Sequence, residues 1–410
     1  MTIKEINGGV CAAKGFFASG VHCGIRKNRT KKDLALIFSE VPASAAAVYT
    51  KNLVKGAPLI VTKNNLKLSN GIAQAVICNS GNANTCNADG IEIAEKMCEL
   101  TADALNIKSE NVIVASTGVI GQPLDITPIK SGIPELVKNL SDCQEANDFA
   151  CEGIMTTDTI KKEAAVEFEI SGHICRMGGI AKGSGMIHPN MATMLVFITT
   201  DAAISENLLQ EALSSDIENS FNMVSVDGDT STNDMVTILA NGKSGNEKII
   251  SHGEDFETFK KALNKITVKL CRMIAKDGEG ATKLLECRVN GAKNIQTAKI
   301  CAKSVICSSL FKAAMFGADA NWGRVLCALG YSGADIDVNK VDVEFESSEG
   351  KIKVCENGAG INFSEETAKK ILLKPEIKIL ISLKSGNSEA TAWGCDLTYD
   401  YVKINGDYRT

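Results

Sequence analysis

The sequence predicts a mixed α/β protein, and three observations carry that expectation. Short apolar runs rich in β-branched and aromatic residues recur along the chain, as buried strands do. Between them, apolar residues return every three or four positions, the spacing of one helix face. The 410 residues are 44% hydrophobic, with 35 Gly and only 7 Pro, ordinary for a globular protein long enough to bury a sizeable core. That length sets a soft expectation of two domains or one large one.

Charge and cysteine content exclude several classes. A net charge of −5 with no long basic block argues against nucleic acid as a partner. No apolar run approaches the roughly 18 residues of a membrane-crossing helix, so no membrane association is expected. The opening Met1-Thr-Ile-Lys-Glu-Ile-Asn-Gly-Gly9 has neither a secretory nor a transit pattern, which points to the cytoplasm. The 15 cysteines are odd in number, scattered from Cys11 to Cys395, and form no Cys-x-x-Cys pair. They read as small buried hydrophobes in a reducing compartment rather than as a disulfide framework. The histidines, His22, His173, His188 and His252, are not paired at helical ligand spacing, and no metal site is expected.

From the N-terminus, Leu34–Phe38 and Ala45–Tyr49 are strand-like runs. Ala75–Cys78 is a third, leading into Asn79-Ser-Gly-Asn-Ala-Asn84, a loop crowded with residues that tolerate positive φ. Gly90–Leu105 is a helix with Ile93, Met97 and Leu100 on one face. Asn111–Val119 is a short strand ending in a Ser116-Thr-Gly118 turn. Thr127-Pro128 has the form of an N-cap with Pro at N1 and opens another helix. Glu163–Ile170 alternates Val166, Phe168 and Ile170 with Glu167 and Glu169, a half-buried strand.

Ser205–Ser215 is helical. Asp227-Gly-Asp-Thr-Ser-Thr-Asn-Asp234 is a polar turn cluster that lacks the Gly and closing Glu of a calcium loop. Phe256–Lys276 is the strongest helix, with Phe259, Leu263, Ile266, Leu270 and Met273 at alternating steps of four and three. It ends in Lys276-Asp-Gly-Glu-Gly-Ala-Thr282, which sets Glu279 at a good platform for a site residue. The last third holds strands at Val341–Phe345, Lys351–Cys355, Ile377–Leu383 and Glu389–Leu397, the first two joined as a hairpin. No repeat and no Pro- or Ser-rich linker divides the chain. The one candidate boundary is the Gly-rich loop before Thr193.

That loop is the centre of interest. Lys182-Gly-Ser-Gly-Met-Ile-His-Pro-Asn-Met-Ala-Thr193 must turn, and Met194–Thr199 is a buried strand, so Thr193 stands at a strand mouth after the small Ala192. The order Lys-Gly-Ser is not that of a phosphate loop, and Gly183-Ser-Gly185 lacks nucleophile-elbow spacing. His188, before Pro189, reads as structural rather than as a general base. A Thr hydroxyl becomes a competent nucleophile when its own α-amine takes the proton, which requires Thr to be first in its chain. Such an amine has a pKa of roughly 7.7–8.0 and is partly neutral near pH 7. Here that demands cleavage of the Ala192–Thr193 bond, with Thr193 attacking the Ala192 carbonyl and the resulting ester hydrolysing.

Lys182-Gly-Ser-Gly-Met-Ile-His-Pro-Asn-Met-Ala-Thr-Met-Leu195 resembles the self-processing segment of the ornithine acetyltransferase family, the glutamate N-acetyltransferases of cyclic arginine biosynthesis. Lys14-Gly-Phe16, Asn79–Asn84, Ser116-Thr-Gly118, Met155-Thr-Thr-Asp-Thr159, Ser225–Asp234, Lys276–Thr282, Gly317-Ala-Asp-Ala-Asn-Trp-Gly-Arg324 and Tyr408-Arg-Thr410 resemble its blocks in order, over essentially the whole chain.

The resemblance implies a layered α/β sandwich like that of self-processing aminopeptidases. It implies cleavage between Ala192 and Thr193 into an α chain, 1–192, and a β chain, 193–410, assembled as α2β2. It assigns Thr193 as the acetylated nucleophile, Thr117 and Gly118 to the oxyanion hole, and Thr156, Lys182, Thr193, Glu279, Asn405 and Thr410 to substrate. Thr157 and Thr159 compete with Thr156. Lys182 suits an α-carboxylate and Glu279 an ammonium, as amino-acid substrates require. The implied reaction is ping-pong: N2-acetylornithine acetylates Thr193, ornithine leaves, and glutamate takes the acetyl group. No metal or prosthetic group is needed, and acetyl-CoA stands open as a second donor. The rival readings are a hydrolase of related fold, in which water resolves the acyl-enzyme, and a homologue that never cleaves.

Overall fold

The expected mixture of strand and helix is arranged as two β-sheets with helices between and around them. The computed structural model describes residues 3–28, 30–188 and 194–407. Before residue 188 the strands are β1 (Lys4–Ile6), β2 (Phe16–Val21), β3 (Leu34–Tyr49), β4 (Ile72–Asn82), β5 (Val112–Val119), β6 (Lys162–Ile170) and β7 (His173–Lys182). The helices there are α1 (Ala57–Leu68), α2 (Gly90–Leu105), α3 (Ile126–Lys138) and α4 (Gln144–Ile154). From residue 194 come β8 (Leu195–Thr200), α5 (Glu206–Ile217), β9 (Val224–Ser225), β10 (Met235–Ala240), α6 (Glu254–Lys276), β11 (Leu284–Ala292), α7 (Ile295–Cys307), α8 (Ser309–Phe316) and α9 (Trp322–Gly330). The chain closes with β12 (Asp342–Ser347), β13 (Gly350–Glu356), β14 (Ala359–Gly360), α10 (Glu365–Leu372), β15 (Glu376–Ser382), β16 (Ser388–Cys395) and α11 (Tyr399–Asp407).

The first sheet runs β1-β6-β7-β8-β10-β3-β4-β5, with β2 also paired to β3; the second runs β14-β13-β12-β15-β11-β16-β9. Strand β8 lies antiparallel to β7 and parallel to β10, and all its residues are buried. That explains its unbroken apolar run, since a strand covered on both faces has no polar side to show. Helix α6 packs against β6 and β7 of the first sheet and against β11 and β16 of the second. Its Phe259, Leu263, Ile266 and Leu270 are fully buried, each contributing about 1.5–3 kcal/mol of burial.

Several expectations need correction. The two runs around Pro42 are one strand, β3, whose register with β4 shifts between Phe38 and Ala43. A residue without an N–H is tolerated where pairing is interrupted. Asn79–Asn82 is strand rather than loop, because β4 continues beside β5. Thr117 and Gly118 lie inside β5, not in a turn beyond it. The cap of α3 is Asp125, whose carboxylate accepts from Thr127 N, so Thr127-Pro128 falls within the first turn of the helix, two residues past the cap. Strand β7 contains the pair Gly178-Gly179, which disguises it in sequence. A Cβ at Gly178 would lie 2.0 Å from the Gly9 carbonyl oxygen, so close packing dictates that glycine.

All 15 cysteines are free thiols, most of them buried. The proposed boundary before Thr193 is not a boundary between sheets. Strands β8 and β10, from the second stretch, sit between β7 and β3 of the first. Among the described residues no helix is long and apolar enough to cross a membrane.

Candidate active site

The site is built at strand ends. Strands β4 and β5 are parallel, with Ser80 opposite Thr117 and Gly81 opposite Gly118. Gly118 has φ 134°, and a Cβ there would lie 2.3 Å from the Gly81 carbonyl carbon. Only glycine permits both that backbone and that approach. On the far side, Lys182 ends β7 and pairs with Leu195 at the start of β8. Lys182 is 9% exposed, and no ion pair takes up its ammonium among the described residues.

A buried charge network holds the loops that join these pieces. Lys162 Nζ is fully buried and donates to Asp158 at 2.6 Å and Asp277 at 2.5 Å. Asp158 also accepts from Thr156 N at 3.0 Å and Gly183 N at 2.7 Å, beside two of the predicted substrate contacts. Burial pushes the Asp158 carboxyl up, but the charges of Lys162 and then Lys182, with the Gly183 N–H, outweigh it and hold it well below the usual carboxylate range. Asp277 ends α6 and accepts from Thr159 N and Oγ1. Ser184 Oγ donates to Asp277 O at 2.7 Å, and Glu279 N returns a bond to Ser184 O at 3.0 Å. Gly185 leaves room for the Glu279 carboxylate, which a Cβ would meet at 2.4 Å. Asn405, from α11, donates to Glu279 Oε2 at 2.8 Å.

These residues enclose a cavity of about 140 Å³. Thr117, Gly118, Thr156, Lys182, Glu279 and Asn405 all line it, with Thr157, Ser231 and Asn233. A smaller adjoining space shares Thr117, Lys182 and Asn233 and is bounded by Met194 and Leu195, the residues that follow Thr193. Ala192, Thr193 and Thr410 lie outside the described residues. Of the competitors to Thr156, Thr159 is taken up by Asp277, whereas Thr157 shares the cavity. A larger groove, about 800 Å³, lies along α5 and α6 away from these groups, lined by solvated side chains such as Lys260, Lys261 and Glu257.

The turn cluster Asp227–Asp234 clasps the segment leading to Thr193. Asp227 accepts from Met186 N at 2.6 Å and Ile187 N at 2.8 Å, and Thr230 Oγ1 donates to His188 O at 2.8 Å. His188 Nδ1 lies 3.1 Å from Ser225 Oγ and 3.4 Å from Cys307 Sγ. Burial, aided by the charge of Lys303, pushes the ring down to about 4, so it is neutral near pH 7. Among the described residues no group of three or more His, Cys, Asp or Glu converges as a metal site.

Sequence reasoning left out Asp158, Lys162, Asp277 and Asn233 as site-building residues. For Lys162 a signal was present: strand alternation puts it on the same face as Ala164, Val166, Phe168 and Ile170, all buried. A lysine on the apolar face of a strand calls for buried carboxylates. For Asn233 no local pattern distinguished it from the polar residues around it.

A mixed α/β protein whose strand ends gather a Thr-Gly pair, a buried ammonium and a carboxylate into one small cavity is an enzyme for small charged substrates. The ArgJ family model matches residues 17–410, and the chain belongs to that family. The arginine biosynthesis bifunctional protein ArgJ 1 of Clostridium acetobutylicum is 52% identical over all of both chains. The arginine biosynthesis bifunctional protein ArgJ of Caldanaerobacter subterraneus subsp. tengcongensis is 50% identical, again over all of both. A crystal structure of the protein of that name from Bacillus halodurans is 46% identical with a TM-score of 0.50, covering 53% of this chain and 100% of that one.

Proposed function

We propose that this enzyme moves an acetyl group from N2-acetylornithine to glutamate in arginine biosynthesis, through an ester on Thr193. The observation that carries the reading is the shared cavity: the oxyanion pair Thr117 and Gly118, the ammonium of Lys182 and the carboxylate of Glu279 face one space beside the strand that follows Thr193. Thr193 Oγ attacks the acetyl carbonyl as its α-amine takes the hydroxyl proton. The carbonyl oxygen becomes an oxyanion facing Thr117 and Gly118, where each donor is worth about 2.7–4 kcal/mol in the barrier. The C–N bond breaks, and ornithine leaves with the proton. Glutamate's amine then attacks the ester, giving N-acetylglutamate and restoring the Thr193 hydroxyl. Lys182 holds the substrate α-carboxylate and Glu279 an ammonium, with Thr156, Asn405 and Thr410 completing the contacts.

The free α-amine requires prior cleavage. Thr193 Oγ attacks the Ala192 carbonyl, the peptide bond breaks to an ester, and water releases chains 1–192 and 193–410. The Bacillus halodurans chain supports that division, since it is matched in full by 53% of this sequence, the share that residues 193–410 occupy. Two copies of each chain form the proposed assembly. The relatives' description as bifunctional supports a second activity, for which we propose acetyl-CoA as the donor; the proposed steps call for no prosthetic group. Incubation with acetylornithine, with and without glutamate, tests the reading: N-acetylglutamate should appear only when glutamate is present, and acetate released at the same rate without it would identify a hydrolase instead.

A further inference from the structure

Asn233 lines the cavity without belonging to the groups assigned to substrate, and every hydrogen-bonding position of its amide is used. Nδ2 donates to the carbonyl oxygens of Ala83 at 2.6 Å and Ser116 at 3.0 Å. Oδ1 accepts from the hydroxyls of Thr85 and Thr232, each at 2.6 Å. Two carbonyls can only accept, so the orientation of the amide is fixed by its partners. The side chain is 5% exposed, and the backbone of Gly56 comes so near that a Cβ there would lie 2.5 Å from Nδ2. Any rotation would leave buried polar atoms without partners, so this is a stiff clamp.

What it clamps is the residue before the oxyanion pair. The Ser116–Thr117 peptide is planar, so pinning the Ser116 carbonyl also fixes the nitrogen and Cα of Thr117. On the other side, Gly118 is held by its close approach to Gly81. Ala83, Thr85 and Ser116 come from the stretch before residue 192, whereas Thr232 and Asn233 come from the stretch after it.

We infer that Asn233 is the positioning residue of the oxyanion donor Thr117, holding the Ser116–Thr117 peptide so that Thr117 is aimed at the reacting carbonyl beside the Gly118 N–H. The inference rests on the reading of Thr117 and Gly118 as the oxyanion donors. The clamp spans both future chains, and its four bonds join Asn233 to Ala83, Thr85, Ser116 and Thr232. Because those bonds tie the two future chains together, the clamp holds Thr117 before cleavage and after it.

A double-mutant cycle on acetyl transfer from N2-acetylornithine to glutamate tests this, with the fold of each variant checked by circular dichroism. Asn233→Ala should lower kcat by about 10²-fold, the scale of one lost oxyanion donor, while KM stays within about threefold. Added to Thr117→Ala, it should cost no more than about a further threefold, because both changes damage the same interaction. Wild-type kcat in Asn233→Ala, or two losses that multiply in full, would overturn the inference. If Asn233→Ala does not fold, Asn233→Asp keeps the size and accepting edge but loses both donors; it should show the same pattern, and wild-type kcat there would be equally fatal. A wild-type enzyme that transfers no acetyl group overturns the underlying reading and this inference with it. Normal transfer with an indifferent Asn233 overturns the inference alone.

Discussion

Asp158 touches no substrate in this account, yet it fixes the backbone beside Thr156 and Lys182. Its carboxyl is held below the ordinary range when folded, so its contribution to stability is present above the unfolded value of roughly 3.9 and fades as pH falls toward the folded one. Asp158→Asn should therefore cost about 3 kcal/mol near neutral pH, the scale of a broken buried pair. Urea melts of the two proteins should begin to converge below about pH 4 and close further as pH falls toward the folded value; equal stability at pH 7 would contradict this role. At this scale the sequence was informative where chemistry is local. Glu279 stood out because it follows a long amphipathic helix among glycines. Lys182 gained its substrate role only through the family resemblance, since its Lys-Gly-Ser order ruled out a phosphate loop and offered nothing further. Asn233 could not stand out, since its partners lie as many as 150 residues away in sequence. The choice between Thr156 and Thr159 likewise depended on Asp277, 118 residues from Thr159.

The segment from Lys182 to Leu195 joins two antiparallel neighbours, β7 and β8, and the proposed cut falls within that connection. Strand β8 stays paired along its length to β7 and to β10, and β10 to β3, so hydrogen bonds and shared core span the two products. Cleaved enzyme carrying an affinity tag at the N-terminus should retain residues 193–410 through gel filtration, releasing them only in denaturant. Separation of the fragments in native buffer would contradict this topology. Helix α6 and strand β6 were legible because their apolar periods, 3.6 and 2, run unbroken over many residues. Strand β7 was not, because Gly178 answers to Gly9 on a distant turn rather than to any local pattern. Helices α1, α4 and α7 to α11, and strand β10, carried signals too short or too mixed to separate from loop.

At the largest scale, α6 packs against both sheets, and the cavity lies where its C-terminal end meets the strand ends of the first sheet. Thr117 and Lys182 come from that sheet, Glu279 from the turn beyond α6 and Asn405 from α11, so no single segment holds the site. The α/β class was legible from periodicity alone. The sheet order was not, because β8 and β10 enter the first sheet between strands placed far earlier in the chain. In the proposed mechanism Thr193 is freed by self-cleavage and carries the acetyl group. The most direct test of this is mass spectrometry of the purified protein after exposure to N2-acetylornithine without glutamate, quenched in acid. Two chains divided after Ala192 are expected, with the C-terminal chain one acetyl group heavier at Thr193 and the mass restored when glutamate is added. A single chain of 43.5 kDa, or a C-terminal chain that never gains the acetyl group, would contradict it.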